Sequence, residues 1–135
     1  MQSLYFLLFA GVQLFLMNCN EDLPNACESI DYDAVFEAQA EQAYCLPNDR
    51  RIRVDSLVNA LCPCNARCVW AGEILAYVTI DMDGESTSHV IHSEKEDDVI
   101  DQLSFKIEEY TFVEECGNSN YSPDVATVSL RIMKE

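Results

Sequence analysis

Three cysteines fall within seven positions, Cys62, Cys64 and Cys68, in the run Cys-Pro-Cys-Asn-Ala-Arg-Cys-Val-Trp-Ala-Gly, which also holds Trp70, the chain's only tryptophan. Thiolates at Cys-x-Cys-x3-Cys spacing could ligate zinc or copper. A fourth ligand would have to come from Cys27 or elsewhere, because neither histidine, His89 or His92, lies near in sequence. In an oxidising compartment the same thiols close disulfides instead. That reading is taken here, with no metal and no cofactor expected.

Other chemistry-bearing residues are weaker. Asp81-Met-Asp-Gly-Glu opens like a calcium loop, but its glycine is fourth instead of sixth and its twelfth position is His92. It reads as a hairpin turn. His89 and His92 are three apart, which on a strand puts them on opposite faces. Ser86, Ser88 and Ser93 lie near them without a nucleophile elbow, and no P-loop or dinucleotide fingerprint occurs. The many acids single out no carboxylate pair. No catalytic residue is assigned and no enzyme is expected. Asn120-Tyr-Ser is a glycosylation acceptor in a eukaryotic secretory route alone.

The compartment follows from the N-terminus. Residues 1–20 carry no charge and residues 4–17 are almost unbroken apolar chain. That is too short for a spanning helix, which needs about 20 residues, and matches a signal-peptide core. A basic residue before the run is absent. Cys19 closes the run in Leu-Phe-Leu-Met-Asn-Cys, which resembles a bacterial lipoprotein signal with Leu16 three places before the acylated cysteine; Asn18 departs from the usual small residue. Glu21 and Asp22 resemble the export signal of surface lipoproteins in Bacteroidota. The expected organisation is a signal peptide over 1–18, an anchor cysteine and tether over 19–33, and one domain over 34–135. Setting Cys19 aside leaves six cysteines, Cys27, Cys45, Cys62, Cys64, Cys68 and Cys116, an even number that reads as a disulfide framework. The net charge of −16 falls wholly on the mature part and argues against nucleic acid and against direct adsorption to anionic lipid.

The elements that must position the cysteines are strands. Residues 35–46 alternate weakly and read as one strand after a helix is weighed. Pro47-Asn-Asp is a turn, and 51–55 alternates with Ile52 and Val54 inward. In 73–80, Ile74, Ala76, Val78 and Ile80 share one face while Leu75 and Tyr77 share the other, which suits a strand with neighbours on both sides. Asp83-Gly84 turns the chain and 87–92 returns. Residues 94–98 read as an acidic loop. Phe105, Ile107, Tyr110 and Phe112 follow with a phase slip at Glu108-Glu109 that suggests a bulge, and Ala126, Val128, Leu130 and Ile132 alternate to the end. Six to seven short strands without an amphipathic helix mean an all-β fold, a single antiparallel β-sandwich, Ig-like or a small barrel, stapled by disulfides.

Cys62, Pro63, Cys68, Val69, Trp70, Ala71 and Gly72 resemble the signature of a family of secreted and lipid-anchored bacterial β domains of Bacteroidota type: a knuckle with two cysteines six apart, then Val or Ile, Trp-Ala-Gly and a strand. Leu61 stands where that family has Arg, and Cys64 is additional. The resemblance extends loosely over 52–132. It implies an all-β fold and a Cys62–Cys68 bridge, and it implies no activity. Such a bridge around seven residues contributes roughly 2–3 kcal/mol in the loop-closure model. With strands running alternately up and down, Cys45 and Cys116 fall at one end and Cys27 and Cys64 at the other, which predicts Cys45–Cys116 and Cys27–Cys64. Trp70 is expected to pack on the sulfurs and anchor the core.

The function expected is that of an exported, lipid-anchored cell-envelope module, facing the periplasm or the cell surface from the outer membrane, with Trp70 and Tyr77 or the acidic 94–101 loop as contact region for an unknown protein partner. The alternative is a secreted inhibitor or decoy that presents the Cys-bounded 63–67 loop, with Arg67 exposed.

Overall fold

The computed structural model describes residues 27–113 and 123–135. It is all-β, and among the described residues there are nine strands: β1 (Glu28–Ser29), β2 (Val35–Ala38), β3 (Ala43–Leu46), β4 (Arg50–Asn59), β5 (Ile74–Met82), β6 (Glu85–His92), β7 (Asp98–Ile100), β8 (Leu103–Phe112) and β9 (Val125–Lys134). They form a five-stranded sheet, ordered β1-β3-β4-β5-β6, and a four-stranded sheet, ordered β2-β9-β8-β7. The two sheets pack face to face as a sandwich and do not close into a barrel. All pairings are antiparallel except β1 with β3, which is parallel.

Alternation decides which faces meet. Ile74, Ala76, Val78 and Ile80 of β5 are buried against Phe105, Ile107, Leu130 and Ile132 of the opposing sheet, and β5 has β4 and β6 as neighbours. Bulges break the alternation in two long strands. On β4 the register shifts between Val54 and Ser56, so Leu57 packs on the core where an unbroken strand would turn it out. The expected strand over 51–55 therefore runs on to Asn59. On β8 the shift lies between Ile107 and Glu109, at the expected phase slip, and Glu108 there pairs with Lys106 and Arg131 at 3.3 and 3.1 Å. A second slip, between Thr111 and Phe112, turns Val125 inward in place of Ala126.

The stretch read as one strand, 35–46, is two strands in different sheets. Glu41, at a φ of 65°, turns the chain between β2 and β3. Fully buried Tyr44 secures the crossing: its hydroxyl donates to the Glu37 carbonyl at 3.2 Å and accepts from the Gln39 N–H at 3.1 Å, and its ring lies 4.8 Å from Phe36. Burial is the main reason the Tyr44 hydroxyl titrates above its ordinary range.

The two ends of the sandwich differ. At one, three tight turns gather around 47–49, 83–84 and 101–102, with Asn48, Asp49, Asp83, Gly84, Asp101 and Gln102 all at positive φ. Two of these are two-residue hairpin loops, Met82 pairing with Glu85 and Ile100 with Leu103, the geometry that positive φ at both central residues permits. The other end carries the segment that joins β4 to β5.

Candidate functional site

Residues 60–73 continue the β4–β5 hairpin past its last paired residues, Asn59 and Ile74. The Ala60 N–H donates to the Glu73 carbonyl at 2.9 Å and the Cys62 N–H to the Ala71 carbonyl at 2.8 Å. The loop is then closed by a Cys62–Cys68 disulfide, with Cα atoms 5.9 Å apart, and by a turn in which the Ala66 N–H reaches the Pro63 carbonyl at 3.1 Å. Asn59 fastens the base: its side chain accepts from the Leu61 N–H at 3.0 Å and donates to the Pro123 carbonyl at 2.8 Å. Gly72 is dictated by geometry. It sits at a φ of 80°, and a Cβ there would lie 2.1 Å from the Ala60 carbonyl oxygen.

The knuckle turns its apolar side chains outward. Trp70 is 60% exposed and Val69 is fully exposed, which overturns the expectation that Trp70 anchors the core. The physical reason is the bridge. With Cys62 bonded to Cys68 and its N–H donating to the Ala71 carbonyl, Val69 and Trp70 are held in the two-residue stretch between these links, on the solvent side. The buried residue of the loop is Cys64, 8% exposed. Leu61, Pro63, Arg67, Val69, Trp70 and the Cys62–Cys68 bridge line an open cleft of about 430 Å³. Of the expected contact residues, Arg67 and Trp70 therefore meet in one cleft. Tyr77, 39% exposed on the outer face of β5, pairs with Ser56 and Val90 lower on the sheet and does not line it. Val69 and Leu61 are contributors not among the expected contacts, and Pro63 enters there only through the alternative 63–67 loop. The available signal was the spacing, since Val69 and Trp70 follow directly on the bridged Cys68, outside the seven-residue ring.

The remaining cysteines correct the expected pairing. Cys27 is bonded to Cys45, with Cα atoms 5.5 Å apart, so neither Cys45–Cys116 nor Cys27–Cys64 forms. The expected place of Cys27 at the knuckle end follows from taking 35–46 as one strand that starts at that end and finishes at Cys45. Instead Glu28 and Ser29 add to the sheet beside Tyr44 and Cys45, the Ile30 N–H donates to the Cys45 carbonyl at 2.9 Å, and Ile30 joins the core. Folded structure thus begins before residue 34. Cys64 is also disulfide-bonded, to a partner outside the described residues. Cys19, Cys116 and Asn120 likewise lie outside them.

Several polar groups elsewhere pair within the sheets. His92 Nδ1 lies 2.9 Å from Glu73 and its backbone N–H donates to Asp98 at 2.7 Å, whereas His89 Nε2 meets the Thr87 hydroxyl at 2.9 Å. Asp81 accepts from Ser86 beside the 83–84 turn. In the expected acidic loop, Asp98 begins β7, accepts from Lys95 at 2.6 Å and is buried. At the β4 bulge, burial pushes the Asp55 carboxyl up, but hydrogen bonds from Thr79 and Arg53, each 2.7 Å, and the Arg53 charge outweigh it and hold the group below its usual range. Among the residues lining the cleft only Arg67 is charged, so the cleft offers apolar surface and one cation.

The bridges place the folded domain in an oxidising, extracytoplasmic environment. No helix among the described residues is long and apolar enough to cross a membrane. Comparison with family models, with curated proteins and with solved structures returned no match.

Proposed function

We propose that the chain is an exported, lipid-anchored module of the cell envelope, non-catalytic, which presents its disulfide-closed knuckle as a contact surface. The outer membrane as its site and the kinship with knuckle-bearing bacterial lipoprotein domains belong to the same reading. The observation that carries it is the outward Trp70 and Val69 on a covalently closed loop. An exposed indole on a rigid support is a characteristic contact residue, and the bridge lowers the ordering cost of using it. The apolar run ending at Cys19 supplies the anchor.

Acyl labelling of the wild type against Cys19→Ala, combined with non-reducing peptide mapping, tests the anchor. Label is expected on the wild type alone, with Cys64 joined to Cys116. Label that persists without Cys19, or a Cys19–Cys64 bridge, defeats the anchor. A second reading, a secreted inhibitor presenting 63–67, is favoured by the exposure of Arg67 and Asn65 within the closed loop. It predicts that the Cys19→Ala chain, released from cells, retains all of its binding.

A further inference from the structure

The partner of the knuckle can be sought in the molecule's own polarity. Residues 60–72 contain one charge, Arg67, and no acid, in a chain of net charge −16. The nearest described acids are Glu73 at the base, paired with His92 at 2.9 Å, and Asp124 beside Pro123. Glu96 and Asp97 lie along the outer face of the four-stranded sheet with Lys106, Glu108 and Arg131. The opposite end exposes Asp49, Asp83 and Asp101 in its three turns. The loop tip is therefore apolar and weakly cationic, with described acids at its base, Glu73 and Asp124, and in the turns of the opposite end, so the tip itself offers apolar surface without an acid, as expected of a loop that meets a bilayer. Tryptophan favours the headgroup level, where its ring is apolar and its N–H stays wet, and arginine extends from there to phosphate.

The direction of β1 agrees. It is parallel to β3 and so antiparallel to β4, which climbs toward the knuckle. The chain preceding Glu28 is thus aimed at the knuckle end. Glu28 lies beside Tyr44, which pairs with Ile52. From that level to Trp70, ten residues back along the chain from Ile80, which pairs with Ile52, is about 33 Å at strand rise. Nine residue steps separate Cys19 from Glu28, a reach of at most about 32 Å. The two lengths match at full extension, so an acyl group on Cys19 reaches the level of Trp70, and a headgroup layer there meets Val69 and Trp70.

We infer that the knuckle tip, Val69 and Trp70 with Arg67, docks into the headgroup layer of the membrane that holds the acylated chain, fixing the domain with its Asp-bearing turns pointing away. The inference rests on the anchored reading above. A second copy is a poorer occupant, because two chains of charge −16 repel.

The test uses the acylated full-length chain in phosphatidylcholine vesicles containing lipids brominated at shallow or deep acyl positions. Trp70 is the sole indole, so its emission reports the tip alone. Expected are flotation with the vesicles, a blue shift, roughly twofold quenching by the shallow label with less by the deep one, and loss of most of that quenching in Val69→Asp. A chain that floats while Trp70 stays red-emitting and unquenched overturns the bilayer contact and leaves the anchor standing. A chain that does not float overturns both. A concentration-dependent blue shift of the lipid-free Cys19→Ala chain assigns the tip to a second copy and overturns the inference.

Discussion

The two ends of the sandwich solve the same problem, reversing the chain between paired strands, by different physics. At the turn end the loops are two or three residues long and use positive φ at Asn, Asp, Gln and Gly, so every side chain there is small or polar and faces water. At the knuckle end the β4–β5 connection is fourteen residues long and cannot close by local dihedrals. A disulfide, a Gly72 wedged against Ala60, a buried Cys64 and the Asn59 side chain close it instead. Once covalent and steric constraints hold the loop, its apolar residues are free of core duty, and Val69 and Trp70 stand in solvent. Local turns give an inert end. A stapled loop gives an end with surface to spend.

The contrast can be broken at its strongest point by Gly72→Ala, which adds a Cβ against backbone at positive φ and is expected to cost about 3 kcal/mol or more in urea unfolding. The parallel change at the other end, Gly84→Ala, meets nothing within 4 Å, so it should cost only about 1 kcal/mol for the left-handed φ. A similar loss for both would mean that the knuckle is not sterically locked. Between these, replacing Cys62 and Cys68 together by serine should remove about 2–3 kcal/mol and shift Trp70 emission, leaving the Cys27–Cys45 bridge intact by peptide mapping.

Midway between the ends, Asp55 holds the β4 bulge. Its folded carboxyl titrates lower than the unfolded one, so its contribution is complete above about pH 4 and is lost as pH falls through the lowered folded value. Asp55→Asn should flatten the acid limb of the urea-midpoint profile; an unchanged limb would refute the role of Thr79 and Arg53. Smallest of all, Trp70→Ala should change stability by less than about 0.5 kcal/mol. A large loss would return the indole to the core.

Much of the architecture was legible along the chain. The 74–80 alternation, the Asp83-Gly84 hairpin and the slip at Glu108 each express a rule that acts over a few residues, and each is found in the sandwich. The Cys62–Cys68 bridge, implied by resemblance, is present. Less legible were features set by distant neighbours. The alternation in 35–46 carries no mark of the point at which the chain leaves one sheet for the other, and Ile100 and Val99 are too few to advertise β7.

The candidate site divides the same way. Cysteine spacing and the short ring are local, and they pointed to the knuckle. Which way Trp70 faces depends on how the knuckle closes, through the Cys62–Cys68 bridge and the Cys62–Ala71 hydrogen bond, which the order of residues does not display. Cys27 was misplaced because two residues, Glu28 and Ser29, find a parallel edge beside β3 that no pattern of two residues can announce. By itself, then, the order of residues determined the period-two strands, the tight turns and an acidic chain rich in cysteine, since dihedral preference, charge and alternation are properties of near neighbours. Sheet membership and the Cys27–Cys45 bond were decided by tertiary packing alone, because each turns on which distant surface reaches a given space first, and the outward indole by the closed geometry of the knuckle.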